Sequence, residues 1–484
     1  MMKCALVWFR RDLRVHDHQP LLSATASGLP VVGLYCLDPR EYGVTGFGYP
    51  KTGAHRARFI LESVAELRDN LNKLGIPLLV RLGKPEEVIP ELNQSGLDLV
   101  EVHAHDELGT EESYVLQQVK DSLGEAQLYT YFGHSLVHPE DLPFPLEELP
   151  KLYTPFKQRI LKSQERCIRS MLPLPERQSV SLAVEEGDLP ELAALGLADD
   201  ELPPQPVFTG GSSAGRKRLT YYFHEQDHIS RYSETRNGML EPDASSKLSP
   251  YLALGCLSPR FVYWSLKEAE AARSVNKSTQ GFLDELLWRE YFIYVHRKHG
   301  SRIFAAGGLD GKRLEWSSDP ALLQAWTDGE TGYPLVDANM RELRQTGWMS
   351  NRGRQNTASF LAKNLGIDWR AGAQWFESQL LDYDVSVNYG NWCYNAAVGN
   401  DTRPYRIFNV SKQGRDYDPA GDYAKHWLPE LATVPGEQVY DVPEWTWFEQ
   451  QEFGLELGKD YPFPIVEWMP SVEAFRSRLK QAKG

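Results

Sequence analysis

The sequence predicts an α/β domain with a doubly wound parallel sheet, followed by an all-α domain. Three observations carry this. Up to about residue 131, short apolar and β-branched runs alternate with helical patterns; beyond Gly210 the strand signals fade and helical spacing dominates; and 484 residues exceed what one hydrophobic core usually supports. The expected divisions are 1–131 for the α/β domain, 132–209 for a connector and 210–484 for the helical domain.

Strands are expected at 4–9 (CALVWF), 31–37 (VVGLYCL), 78–82 (LLVRL), 97–102 (LDLVEV) and 127–131, with helices at 56–74 and 111–123 between them. A glycine-rich phosphate turn is missing after the first strand, where Phe9-Arg10-Arg11-Asp12-Leu13-Arg14 stands instead, which argues against a dinucleotide site there. Arg10, Arg11, Asp12, Arg14 and Asp17 form either a surface ion-pair cluster or the lining of a crevice at the strand ends. From 132 to 209 proline and acidic residues dominate (HPEDLPFPLEELP, LPLPERQ, ELPPQPVFTGG) around one helical island near 156–169, a partly ordered connector.

Composition excludes several classes of protein. A formal charge of −14 argues against nonspecific coating of nucleic acid, while leaving room for a local basic face. Cys4, Cys36, Cys167, Cys256 and Cys393 are scattered without CxxC or metal-type spacing, so free thiols in a reducing compartment and no metal are expected. Met1-Met2-Lys3 leads straight into a strand, and no stretch is long and apolar enough to span a bilayer; a cytoplasmic monomer without a membrane partner is expected. The 13 tryptophans stand out, as ligand platforms and electron-transfer sites or as large core fillers.

The helical half carries the chemistry-bearing patterns. A helix is expected at 216–224. In SSKLSPYLALGCLSPR (245–260) hydroxyls and a lysine precede an apolar helix, giving either a phosphate dock or a plain serine-capped helix. FLDELLWREYFIYVH (282–296) sets Glu285, Trp288 and Arg289 on a common edge, where a core helix with an internal ion pair would read the same way. Between Gly347 and Ala397, Phe360, Leu361 and Leu365 keep helical spacing, Gly366 can cap that helix, and Asp368 can open the next, so two short helices bracket Trp369. Asp382, Asp384, Asn388 and Trp392 follow, polar groups among aromatics that a large heteroaromatic ligand would satisfy. Further on, Arg403, Arg406, Lys412 and Arg415 interleave with Tyr405, Phe408 and Tyr417, as a nucleic-acid rim or a solvated loop.

NRGRQNTASFL, IDWR, LLDYD and NYGNW, with LVWFRRDLRVHDHQPL near the start, resemble the photolyase/cryptochrome family over nearly the whole chain. The resemblance implies an FAD cofactor in the helical domain. Tyr232, Ser245, Ser246, Lys247, Leu248 and Ser249 would contact its pyrophosphate. Glu285, Arg289, Asn351, Arg354, Asp382 and Asp384 would surround flavin and ribose, with Asn388 facing flavin N5. Trp392, Trp369 and Trp316 match the family's electron relay, proximal to distal. In the α/β domain the resemblance implies an antenna pigment, with Glu107 where 5,10-methenyltetrahydrofolate is contacted; taken alone, Glu107 reads as a solvated acid leading a helix.

A cyclobutane pyrimidine dimer opens on gaining one electron, which needs a cofactor, and the lesion has to leave the base stack to reach it. By resemblance the catalytic set is Glu285, Trp288, Asn351, Gln355, Asn388 and Tyr394. Gln355 and Tyr394 replace a methionine and a tryptophan of the double-strand enzymes, and with GYPLVDANMREL and SNRGRQN they are similar to the DASH group of cryptochromes. Less apolar pocket surface favours a lesion that is already unpaired, so the expected partner is single-stranded DNA bearing pyrimidine dimers. The alternative is a blue-light photoreceptor using the same flavin.

Overall fold

In the computed structural model, residues 2–94, 96–179, 185–198, 202–203 and 206–482 are described. Five strands, β1 (Met2–Phe9), β2 (Val31–Leu37), β3 (Leu78–Leu82), β4 (Leu97–His105) and β5 (Gln127–Tyr131), form one sheet in the order β3-β2-β1-β4-β5. Every neighbouring pair is parallel. Helices α1 (Gln19–Ala26), α2 (Ala54–Lys73), α3 (Pro85–Gln94) and α4 (Thr110–Ser122) connect them. Covered on both faces, residues 4–9 of β1 and all of β2 are buried, which is why they read as unbroken apolar runs. β4 outruns its expected end at residue 102 because it finishes on buried polar residues, His103 bonded to Tyr131 and His105 bonded to Asp12.

The strand order reverses at β1, whose neighbours are β2 on one side and β4 on the other. In such sheets the crevice beyond the carboxyl ends of the strands at that point is where ligands bind.

The chain divides into two compact units. The first comprises Met1–Arg231, Ser246–Ser301 and Leu381–Ser386; the second comprises Tyr232–Ser245, Arg302–Leu380 and Val387–Gly484. In the first, the turn after β1 is braced by the 254–260 segment: Leu13 N donates to Leu254 O and Arg14 Nη1 to Gly255 O (3.1 and 2.8 Å). Gly255 sits at φ +64° against the Arg11 carbonyl, which a Cβ would overlap. The helix Lys277–His299, longer than the 282–296 pattern, starts from an Asn276–Thr279 capping box.

The second unit is helical among its described residues, apart from isolated bridges. The helix Asn351–Ser359 widens to π spacing over Phe360–Leu365 and stops at Gly366 (φ +69°). Asp368 then caps Trp369–Gln379 by accepting from Arg370 N, so Trp369 is the first residue of that helix rather than a residue between two helices.

Candidate functional site

In the first unit an ion pair stands just past the carboxyl ends of β1 and β4, at the switch point. Arg10, just past β1, meets Glu107, just past β4, at 3.2 Å, with side chains 10% and 8% exposed. Glu107 is thus not a solvated acid; the following helix begins only at Thr110. Arg10 also lies over the Trp8 ring at 4.7 Å. Arg10 Nη1, Glu107 Oε1 and the Tyr42 hydroxyl are buried without a hydrogen-bond partner. Unmet buried donors and acceptors are costly, and a polar ligand is one way to satisfy them.

Other members of the FRRDLRVHD turn brace the fold instead. Arg14 is 3% exposed and donates to the carbonyls of His16, Asp17 and Gly255. Asp17, 1% exposed, accepts from Arg260 at 2.6 Å and Leu172 N at 2.9 Å. Asp12 accepts from His18 Nε2 at 2.8 Å and bonds His105 Nδ1 at 2.6 Å. His18 Nδ1 accepts from Leu21 N, which fixes its tautomer. Asp12, His18 and His105 are the one trio among the described residues near enough to share a metal ion, and the hydrogen bonds account for their placement.

The serine turn of the first unit contains Ser246 (buried), Lys247 in the left-handed region (φ +53°), Leu248 (buried) and Ser249 (exposed). Arg218 Nε fixes it by donating to Ser246 O at 2.9 Å. The helix it opens, Ser249–Ala253, has only five residues, so its dipole is much smaller than that of the apolar helix expected. On Lys277–His299, Glu285, Trp288 and Arg289 are half-buried. Arg289 Nη1 donates to His134 O at 2.7 Å and Nη2 reaches Asp384 Oδ2 at 3.4 Å, so two cofactor-binding candidates are joined. Tyr153 stacks on Trp288 with ring centroids 3.7 Å apart and planes at 12°. Asp382 and Asp384 are half-buried on either side of buried Tyr383, whose ring packs against Arg11 and Arg56.

In the second unit Tyr232 is buried under Arg236, whose guanidinium lies 5.8 Å from its ring, and Ser245 is half-buried. Asn351 is exposed at the start of its helix; Arg354 and Gln355 are half-buried, with Arg354 Nε donating to Met349 O at 3.0 Å. Asn388 is 8% exposed and donates its Nδ2 to Ala373 O at 3.0 Å. A carbonyl takes only the NH2 end of an amide, so the Asn388 oxygen is left as an uncharged acceptor beside the second N–H.

The three relay candidates also lie in this unit. Trp392 (2% exposed) packs edge-on to Phe376 at 5.1 Å and to Trp326 at 6.3 Å. A Cβ at Gly372 would overlap its ring. Trp369 is fully buried and Trp316 half-buried, and both indole nitrogens donate to Ala306 O, at 3.0 and 3.2 Å. Half-buried Tyr394 follows Trp392 on the helix Val385–Asn395. Trp326, fully buried and bonded to Thr357 O, and Tyr389, edge-on to Trp369 at 6.1 Å, were missed by sequence reasoning; helical spacing from Trp369 and Trp392 gives no sign of either contact. Of the basic rim, Lys412 pairs with Asp416 and Arg415 with Asp441, while Arg406 lies over Phe408 at 4.8 Å.

Two family profiles match the chain: DNA photolyase over residues 5–178 and the FAD binding domain of DNA photolyase over residues 282–481. The chain is 50% identical over 476 residues to a cryptochrome DASH of Gloeobacter violaceus, covering 98% of this chain and 95% of that one. A solved cryptochrome of Synechocystis sp. superposes with a TM-score of 0.94 at 46% identity, over 98% of this chain and 99% of that one. A bacterial class III photolyase from Agrobacterium tumefaciens gives a TM-score of 0.84 at 29% identity, over 100% and 98%.

Proposed function

Because the chain belongs to the cryptochrome DASH group of the photolyase/cryptochrome family, we propose that it is a light-dependent photolyase that splits cyclobutane pyrimidine dimers, preferentially in single-stranded DNA. FAD, when bound, reduced and excited by light, supplies the electron that opens the dimer. The residues of this chain bind it, orient it and admit the lesion. Asn388 offers its amide oxygen to the ring nitrogen proton. Tyr232, Ser245, Ser246, Lys247, Leu248 and Ser249 hold the phosphates, and Arg289, Arg354, Asn351, Asp382 and Asp384 hold the ring and sugar. Glu285 hydrogen-bonds the pyrimidines and Trp288 supplies a stacking surface. Gln355 and Tyr394 give a more polar pocket than the double-strand enzymes have, and less apolar area to offset the few kcal/mol of unpairing a duplex.

The observation that carries the redox reading is the burial order of the relay: Trp392 and Trp369 are enclosed, Trp316 reaches solvent, and one carbonyl ties the last two together. In the α/β portion, the unmet donor of Arg10 and acceptor of Glu107 support an antenna at the switch point, for which 5,10-methenyltetrahydrofolate has matching polar edges. The test is blue-light repair of an oligonucleotide with one thymine dimer by the FAD-loaded, reduced protein. Loss of the dimer in light and not in the dark is expected. No repair with reduced FAD bound would overturn the proposal in favour of a photoreceptor.

A further inference from the structure

Arg352, one residue past Asn351, is enclosed by neutral amides of the second unit. Its Nη1 donates to Gln355 Oε1 at 3.1 Å and to Gln413 Oε1 at 3.4 Å, and its Nη2 donates to Asn237 Oδ1 at 3.0 Å. The Tyr417 ring lies 4.5 Å from the guanidinium. No carboxylate pairs with it among the described residues; burial, together with Arg236 and Arg406, lowers its pKa. A guanidinium has donors only, so each amide has to turn its oxygen inward and its NH2 away. The nitrogen and oxygen ends of Gln355 are therefore distinguished by chemistry.

We propose that Arg352 is a positioning residue for lesion recognition, fixing Gln355 so that its NH2 is presented as a hydrogen-bond donor to a carbonyl oxygen of the pyrimidine dimer. This rests on the assignment of Gln355 to the lesion pocket made above. Both rings of a pyrimidine dimer carry carbonyl oxygens, acceptors that a methionine at this position cannot meet. A freely rotating glutamine would offer either end. Pinned through its oxygen, Gln355 offers the donor, and the ordering cost is met before DNA arrives. The unpaired positive charge also polarises the amide and strengthens its N–H groups as donors.

A double-mutant cycle tests this on the FAD-loaded full chain, read in the dark as dissociation constants for a single-stranded oligonucleotide with one thymine dimer and for its undamaged counterpart. Arg352→Met is expected to reduce the preference for the damaged strand by about fivefold, the size of one hydrogen bond. In a Gln355→Leu background the same change is expected to have little further effect on that preference. Gln355→Glu keeps a partner for Arg352 yet presents only acceptors, and is expected to lose the preference as well. Arg352→Lys keeps the charge without the planar fork and is expected to behave like Arg352→Met. Flavin absorbance and melting temperature identify any variant that fails to fold; the Gln355→Glu result then stands alone. Equal weakening of damaged and undamaged strands by Arg352→Met in both backgrounds would make Arg352 a plain phosphate contact and overturn the inference. A wild-type protein that repairs dimers yet shows no coupling between the two residues overturns it alone. A wild-type protein with no lesion preference removes the lesion-pocket assignment, and the inference with it.

Discussion

Trp316 and Trp369 donate their indole N–H groups to one oxygen, the carbonyl of Ala306. A shared acceptor holds two rings from separate segments in fixed register, with one ring buried and the other half-buried. Trp369→Phe keeps an aromatic ring, though a smaller one, and removes both the hydrogen bond and the readily oxidised indole. Photoreduction of bound FAD by an external thiol under blue light is expected to fall to a small fraction of the wild-type rate, with FAD content unchanged. Trp316→Phe is expected to slow it less. A wild-type rate in Trp369→Phe would remove these residues from the relay.

Gly255 lies at φ +64° with the Arg11 carbonyl where a side chain would go. Gly255→Ala combines a left-handed alanine with an overlap against backbone, together costing about 2–4 kcal/mol. A melting temperature several degrees lower is expected, and an unchanged one would contradict the brace between the β1 turn and the 254–260 segment.

The Arg10–Glu107 pair makes a prediction about the antenna. Glu107→Gln preserves shape and loses the charge, and methenyltetrahydrofolate is expected to bind about tenfold more weakly, since hydrogen bonds to charged groups contribute about 1.5–3 kcal/mol. Fluorescence titration reads this directly. Unaltered folate affinity would place the antenna elsewhere.

Glu290 is 1% exposed and accepts from Leu136 N and Val137 N at 2.8 and 2.9 Å. Burial pushes its carboxyl up to about 7, outweighing the two amides that favour the charged form. Its unfolded value lies near 4.5, so the folded protein takes up a proton between these values. The stabilisation is fully present below about pH 4.5 and is lost as pH rises through about 7. Glu290→Gln stays neutral, so its melting temperature is expected to gain on the wild type between pH 5 and 8. A constant difference would mean Glu290 is ionised throughout.

The expected strands at 31–37, 78–82 and 127–131 are those observed; β2 was legible because a strand buried on both faces is an apolar run. The end of β4 was not, because His103 and His105 are buried through hydrogen bonds that hydrophobicity does not register. The caps Asp368 and Gly366 were visible, since the residue types that close helices are few. The amides around Arg352 were not, because Asn237, Gln355 and Gln413 come together only on folding; Gln355 alone lies at helical spacing from it. The burial of Glu107 was hidden for the same reason, its partner Arg10 lying on another strand end.

The central claim is repair of dimers in single strands, and the most direct measurement is turnover of one thymine dimer in two matched oligonucleotides, single-stranded and duplex, by the photoreduced protein under the same blue light. Repair of the single strand well in excess of the duplex is expected from the polar pocket proposed for Gln355 and Tyr394. Equal or faster repair of the duplex would contradict it.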